Sequence, residues 1–272
     1  MASVLSSQEM DIKDQEYLKN LQEKIAADTD EKFKSSVSHY DDEFLLRFVR
    51  GRKHNVEKAF KTLKNHLYVK EVLYKDLFDR LKATEVQHAL NNPRMTSPLK
   101  RRDDKGRLIG LFSFGEWNPD EIDGEEILLT WILQAELIWT DVEIQRNGIV
   151  LVSNTKGFGL KHMKIACNLK LMRLMYYVFL DCYPLRIRAM HFVENGRIYD
   201  VVLKLNKAFM SAKLRSRVFS HHSSDWSTLH KYLPAKILPD YLGGELTAEE
   251  AIDLEVNKKI LAKENLKLEF KF

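Results

Sequence analysis

The chain has 272 residues, 44% of them hydrophobic and 30% charged, with 43 basic against 39 acidic residues for a formal net charge of +4. That length can bury a substantial core and hold more than one domain, and the composition is that of an ordinary globular protein. So mild a charge does not imply nucleic acid as a partner, and charge-driven binding would have to come from a local cluster.

The opening stretch MASVLSSQEM has neither a basic region nor an apolar core, so no signal peptide is expected. The longest apolar stretch, residues 127–139, is broken by Thr130, Gln134 and Glu136. It also falls short of the about 20 residues that a membrane-spanning helix needs. Cys167 and Cys182 form neither a CxxC pair nor a disulfide framework, and read as reduced thiols of a cytosolic protein.

Up to about Leu81 the chain reads as helices alone. Phe44, Leu45, Phe48 and Val49 repeat an apolar pair every fourth residue, with Ser38 and Asp41 placed to cap the helix they form. After Gly51 and a short basic turn, Asn55 can cap a second helix. Its Val56, Ala59, Phe60, Leu63 and Leu67 follow the same template. Breaks at Asn91-Asn92-Pro93 and Ser97-Pro98 close this region, so residues 1–94 are expected to be an all-helical domain.

Beyond the break the period changes. Residues 107–114 read as a strand entered through the turn Asp103-Asp104-Lys105-Gly106, and residues 127–139 as a helix that is mostly buried. Strand 149–153 leads to a helix near 163–180, strand 185–193 to a helix near 197–213, and strand 218–221 to a short helix near 226–232. Such alternation predicts an α/β domain over residues 95–246, built on a mostly parallel sheet. Residues 247–272 read as a charged helical tail.

Catalytic signatures are missing from this frame. The turn Gly157-Phe158-Gly159 has His162 where a dinucleotide-binding turn needs a third glycine, and no P-loop occurs. His221 and His222, with Asp225, could suggest a metal, but neighbours on a strand point to opposite faces. Neither a GxSxG elbow nor a Cys-His signature is present. No cofactor, metal or catalytic activity is expected.

Two segments are more informative. Ile198, Val202, Leu205 and Phe209 recur at helical spacing, with Arg197, Asp200, Lys204 and Lys207 on other faces and Leu203 and Met210 off the inward stripe. The segment is either a plain covering helix or an amphipathic lid able to lie on a membrane. Just before it, Leu185 and Ile187 alternate with Arg186 and Arg188, which share the opposite strand face. That arginine pair marks either a solvated edge or a site for an anion.

The segments FLLRFVRGRKHNVEKAF (44–60), ELIWTDVEIQRNGIVLV (136–152), YPLRIRAMHFVEN (183–195) and LPDYLGGEL (238–246) together resemble the CRAL-TRIO lipid-binding family. The likeness is greatest to its tocopherol-transfer, retinaldehyde-binding and clavesin-type branches. It implies an N-terminal helical bundle, a mostly parallel sheet floored by helices, and a mobile gate helix starting at Arg197 over an apolar pocket. It further implies a monomeric, cytoplasmic, transiently membrane-associated carrier and not an enzyme. The cargo would be a small hydrophobic lipid of isoprenoid, retinoid, tocopherol-like or acyl type, exchanged at phosphoinositide-containing membranes. The alternative is a phosphoinositide-sensing adaptor that transfers no cargo.

On that template the pocket would be lined by Leu128, Trp131, Ala135, Ile149, Leu151, Ser153, Val178, Phe179, Tyr183, Leu185 and Ile187, and by Ile198, Val202, Leu205 and Phe209 of the gate. Arg186, Arg188, Lys213 and Arg217 would meet the phosphoinositide headgroup, Lys213 and Arg217 from the end of the gate helix. Departures from the family are also visible. Ser153-Asn154 and Lys156 stand where relatives place acids, and Asn195-Gly196 replaces a Glu-Pro hinge, which implies a looser gate. Lys204 and Asn206 make the gate more polar. Trp131 and Ala135 replace small hydroxyl residues of tocopherol-type members, so weak tocopherol binding is expected.

Overall fold

Side-chain caps fix where the N-terminal helices begin. Asp30, Asp41 and Asn55 accept hydrogen bonds from the backbone N–H groups of Phe33, Phe44 and Lys58. These caps start α2 (Glu31–Val37), α3 (Asp42–Gly51) and α4 (Val56–Tyr68), which follow a longer α1 (Ser7–Ala26). Asp41 caps α3, whereas Ser38 closes α2. Phe44, Leu45, Phe48, Val49, Ala59, Leu63 and Leu67 are buried in one cluster. The short helices α5 (Lys75–Asp79) and α6 (Gln87–Leu90) complete the helical part. This computed structural model describes residues 7–194, 196–221 and 226–262.

Five strands then form one sheet in sequential order: β1 (Thr96–Pro98), β2 (Leu108–Ser113), β3 (Ile149–Asn154), β4 (Ile187–Val193) and β5 (Val218–His221). β1 runs antiparallel to β2, and the remaining pairs are parallel. Helices make the crossovers, as parallel pairing requires. They are α7 (Gly124–Ile138) and α8 (Val142–Asn147), then α9 (Leu160–Ala166) and α10 (Leu169–Tyr176), then α11 (Arg197–Ala208) and α12 (Ala212–Arg215). One sheet face, with Val150, Val152, Ala189 and Val193, packs against Leu229 of α13 (Ser227–His230) and against Leu233, Ile237 and Leu238.

Two helices read as continuous are broken by local capping. Asn168 accepts from Lys170 N and Leu171 N, which separates α9 from α10, and α10 ends in a π-helical stretch, Tyr177–Cys182. Ser211 accepts from Leu214 N, so Lys213 lies in α12 and Arg217 beyond it, not at the end of α11. The tail is interrupted too. Between α14 (Ala248–Ala251) and α15 (Glu255–Leu261), Ile252 forms a β-bridge to Leu99.

The hinge residue Asn195 and the histidine-cluster residues His222 and Asp225 lie outside the described residues, as does the tail beyond residue 262. Among the described residues no helix is long and apolar enough to cross a membrane, and no group of three or more His, Cys, Asp or Glu side chains could hold a metal ion. Cys167 and Cys182 are free thiols, and burial pushes that of Cys182 up to about 12.

Candidate functional site

The second sheet face is closed off by α7, α10 and α11 around a cavity of about 300 Å³. Leu108, Gly110 and Phe112 of β2, Ile149, Leu151 and Ser153 of β3, and Ile187, Met190 and Phe192 of β4 form its floor. The β4 residues change phase after Ile187 because the register shifts there: Ile149 pairs with Ile187 and Val150 with Ala189. The extra residue is Arg188, which leaves Met190 and Phe192 on the cavity side. A Cβ on Gly110 would stand 3.2 Å from Leu151 Cδ2, so the missing side chain is part of the room.

Among the described residues, the lining carries no Asp, Glu, Lys, Arg or His side chain. An apolar molecule gains roughly 25 cal/mol per Å² buried there, whereas a charged group would lose its hydration without a partner. Polar groups on one side are satisfied among themselves. Thr96 Oγ1 donates to Gln134 Oε1 at 3.1 Å, and Gln134 Nε2 donates to Asn257 Oδ1 at 2.9 Å.

Leu128, Trp131, Ala135, Ile149, Leu151, Ser153, Phe179, Leu185, Ile187 and Val202 line this cavity. Trp131 stands on the wall, its ring edge-on to Phe112 with centroids 5.1 Å apart. Val178, Tyr183, Ile198, Leu205 and Phe209 are not in the lining. Val178 and Tyr183 turn into the core shared with the helical domain, where Tyr183 Oη donates to the buried Glu136 at 2.5 Å. The helix expected to act as a gate, α11, is rotated relative to the expected stripe. Tyr199, Val202 and Asn206 face the cavity and Leu203 and Met210 are buried, while Ile198 is 41% and Val201 60% exposed. Tyr199 sets this phase, because its ring packs on Phe114, Phe158 and Phe192. Leu205 is half-buried, and Phe209 stacks on Tyr176 with centroids 5.8 Å apart.

The basic residues gather at the start of β4. Arg186 is half-buried and donates from Nε to Gly51 O at 3.0 Å, from Nη1 to Arg146 O at 2.5 Å, and from Nη2 to Arg50 O. Arg188 Nε donates to Asn147 O at 2.6 Å, and Arg217 Nη1 to Ile187 O at 2.5 Å. Gly148 permits this crowding: its φ is +87°, and a Cβ there would lie 2.3 Å from Arg186 O. Burial, then the charges of Arg188 and Arg52, bring the Arg186 guanidinium down to about 10.

A fifth cation joins the cluster, one that sequence reasoning missed. Lys53 is exposed in the turn between α3 and α4, with a left-handed φ of 55°. The charges of Arg188, Arg186, Lys213 and Arg217 press its pKa down, Arg188 most, and burial adds to them. The signal was the basic run from Arg50 to Lys53, in which both arginines are otherwise engaged. Arg50 pairs with Asp14 at 2.7 Å, and Arg52 donates to Thr62, Leu180 O and Tyr183 O. Among the described residues, none of Lys53, Arg186, Arg188, Lys213 and Arg217 is paired with a carboxylate. Such a group of like charges favours a polyvalent anion.

Residues 94–244 match the CRAL/TRIO domain, and residues 15–65 match the CRAL/TRIO N-terminal domain. The chain is 30% identical over 208 residues to clavesin-1 of Xenopus laevis, covering 76% of this chain and 61% of that protein. It is 31% identical over 227 residues to the alpha-tocopherol transfer protein-like protein of Mus musculus, covering 82% of this chain and 64% of that one. It thus spans less than two thirds of the length of these curated relatives. Among solved structures it is similar to the crystal structure of Sfh5, with a TM-score of 0.55 and 17% identity over 89% of this chain and 84% of that chain. At that identity the likeness concerns the fold alone.

Proposed function

The chain belongs to the CRAL/TRIO family, and on that premise we propose that it carries one small hydrophobic lipid in the cavity and exchanges it at phosphoinositide-containing membranes. One observation carries this reading: an uncharged cavity under an amphipathic helix adjoins cations that, among the described residues, have no carboxylate partner. The two parts meet at single residues. Ile187 lines the cavity while its carbonyl accepts from Arg217, and Leu214 lines it while Lys213, the preceding residue, belongs to the cluster.

Burial holds an apolar ligand but does not release it, so release needs a competing apolar phase. A membrane supplies that phase when the gate opens against it. Ile198 and Val201, exposed on the outer side of α11, are the apolar groups that would meet the bilayer, while Tyr199 and Val202 face the cargo. Near an anionic leaflet each basic residue contributes about 1 kcal/mol, so four of them change binding by a factor on the order of 10³. Polyvalent headgroups gain most, because arginine binds phosphate as a fork. The protein would act as a cytoplasmic monomer that associates transiently with membranes.

The test is a variant in which Lys53, Arg188, Lys213 and Arg217 are all alanine and Arg186 is kept. Co-sedimentation with vesicles containing phosphatidylinositol 4,5-bisphosphate should be lost, with affinity for apolar cargo unchanged. Undiminished sedimentation would overturn the assignment. Vesicle binding by a wild-type protein that takes up no cargo would favour a phosphoinositide-sensing adaptor instead.

A further inference from the structure

The far half of α11 is fastened to α10 through Tyr176. Its Oη donates to Asn206 Oδ1 at 2.9 Å, and its ring stacks on Phe209, with centroids 5.8 Å apart and planes 7° from parallel. Asn206 and Phe209 are three residues apart and share a helix face, so one tyrosine grips both. The Asn206 amide is itself fixed, because Nδ2 donates to Val202 O at 2.9 Å. The near half of α11 is held differently, by the packing of Tyr199 on Phe114, Phe158 and Phe192. Just before α11, a Cβ on Gly196 would meet nothing within 4 Å. Just past it, Arg215 Nη1 donates to Met210 O at 2.7 Å, which ties α12 and its Lys213 to the half that Tyr176 grips.

We propose that Tyr176 is the latch of the gate: its bond to Asn206 and its stack on Phe209 set how often α11 opens. The inference rests on the carrier reading and names what regulates exchange at the same site. The two halves of α11 respond differently to a bilayer. When the helix lifts into a membrane, acyl chains replace the apolar contacts that it gives up. A hydrogen bond has no such substitute in hydrocarbon, and both of its partners are left unsatisfied. The Tyr176–Asn206 bond is therefore the part of the closure that an apolar phase alone does not release. The latch joins protein to protein, and Phe209 lies outside the cavity lining, so it fastens α11 with or without cargo. Its loss should speed loading and release alike and leave equilibrium affinity unchanged.

The test uses the full chain and reads opening first without any cargo. Cys167→Ala combined with Val202→Cys puts a thiol under the gate, at a position 1% exposed. Cys182 is buried, with its pKa pushed up to about 12, and stays unreactive. In this background Tyr176→Phe and Phe209→Leu should each raise the rate of modification by iodoacetamide about fivefold, as expected for one hydrogen bond or one aromatic pair. Asn206→Leu should do the same, and joining it to Tyr176→Phe should add no further increase. The second readout is diphenylhexatriene, a hydrocarbon that cannot hydrogen-bond to the latch, followed by energy transfer from Trp131 in the cavity wall. In Tyr176→Phe its association and dissociation rates should both rise about fivefold, with Kd within about twofold of wild type. Unchanged modification rates in Tyr176→Phe and Phe209→Leu, or effects of Tyr176→Phe and Asn206→Leu that multiply, would overturn the latch. So would weaker diphenylhexatriene binding at an unchanged association rate, which marks a lining contact only. If modification accelerates as expected and diphenylhexatriene does not bind to any variant, the latch stands and the carrier reading loses its support.

Discussion

Arg186 Nε lies 3.0 Å from the carbonyl oxygen of Gly51 and donates to it, which ties the residue just before β4 to the last turn of α3. Its two other terminal nitrogens hold the carbonyls of Arg50 and Arg146. One half-buried guanidinium thus joins the helical domain, α8 and the strand that carries the basic cluster. Arg186→Ala should cost about 2–3 kcal/mol in urea denaturation, since it removes three charge-assisted bonds. Lys213→Ala should stay within about 0.5 kcal/mol of wild type while weakening vesicle binding. An Arg186→Ala protein of wild-type stability that no longer binds vesicles would reverse these roles.

Vesicle binding and cargo binding should respond differently to salt. Raising the ionic strength from 0.1 to 1 M shortens the screening length from about 10 to about 3 Å. Co-sedimentation should therefore fall steeply over that range, while cargo titrations should hold constant or strengthen slightly. Vesicle binding insensitive to salt would point to apolar insertion alone.

Trp131 and Gly110 face the same cavity with opposite consequences for its size. Wild-type protein should bind α-tocopherol weakly, and Trp131→Ala should bind it at least about tenfold more tightly, at a stability cost of up to about 3 kcal/mol. Gly110→Leu, on a strand where leucine meets no backbone strain, should weaken every apolar ligand. Unchanged tocopherol affinity in a well-folded Trp131→Ala protein would contradict the expected steric exclusion.

Acid should destabilise the fold through His191. Its Nδ1 lies 3.0 Å from His221 Nε2, its ring stacks on Phe219, and it is 1% exposed. Burial, then the charges of His221 and Arg107, push its pKa down to about 4. The unfolded chain, with histidine near 6.5, binds the proton more readily. Stability is therefore lost as pH falls from about 6.5 to about 4, by about 3 kcal/mol from this residue. The buried His66 acts in the same direction, and Glu136, whose pKa burial raises, acts against it. His191→Gln should flatten the dependence of urea midpoint on pH across that window. A slope unchanged by the substitution would contradict this account.

The strand–helix alternation was legible because period-2 and period-3.6 patterns are written in consecutive residues, and because Asp41 and Asn55 cap where their positions imply. What was illegible depends on contacts distant in sequence. The amphipathic pattern of α11 allows either Ile198 or Tyr199 to lead the inward stripe, and only Phe114, Phe158 and Phe192 decide for Tyr199. Asn168 and Ser211 break two helices that periodicity alone would continue. Lys53 looked like part of a generic basic turn until Arg50 and Arg52 found buried partners and left it alone beside β4.

The central claim is that the cavity holds cargo and that the basic cluster governs its release. A single transfer experiment tests this most directly: protein loaded with a radiolabelled hydrophobic lipid recovered from, or shown to bind, the purified chain is mixed with acceptor vesicles, with and without phosphatidylinositol 4,5-bisphosphate. The account predicts one lipid bound per chain and faster transfer to vesicles that contain the phosphoinositide. That acceleration should vanish when Lys53, Arg188, Lys213 and Arg217 are replaced by alanine. Transfer at one rate to both vesicle types, or a protein that retains no lipid at all, would contradict it.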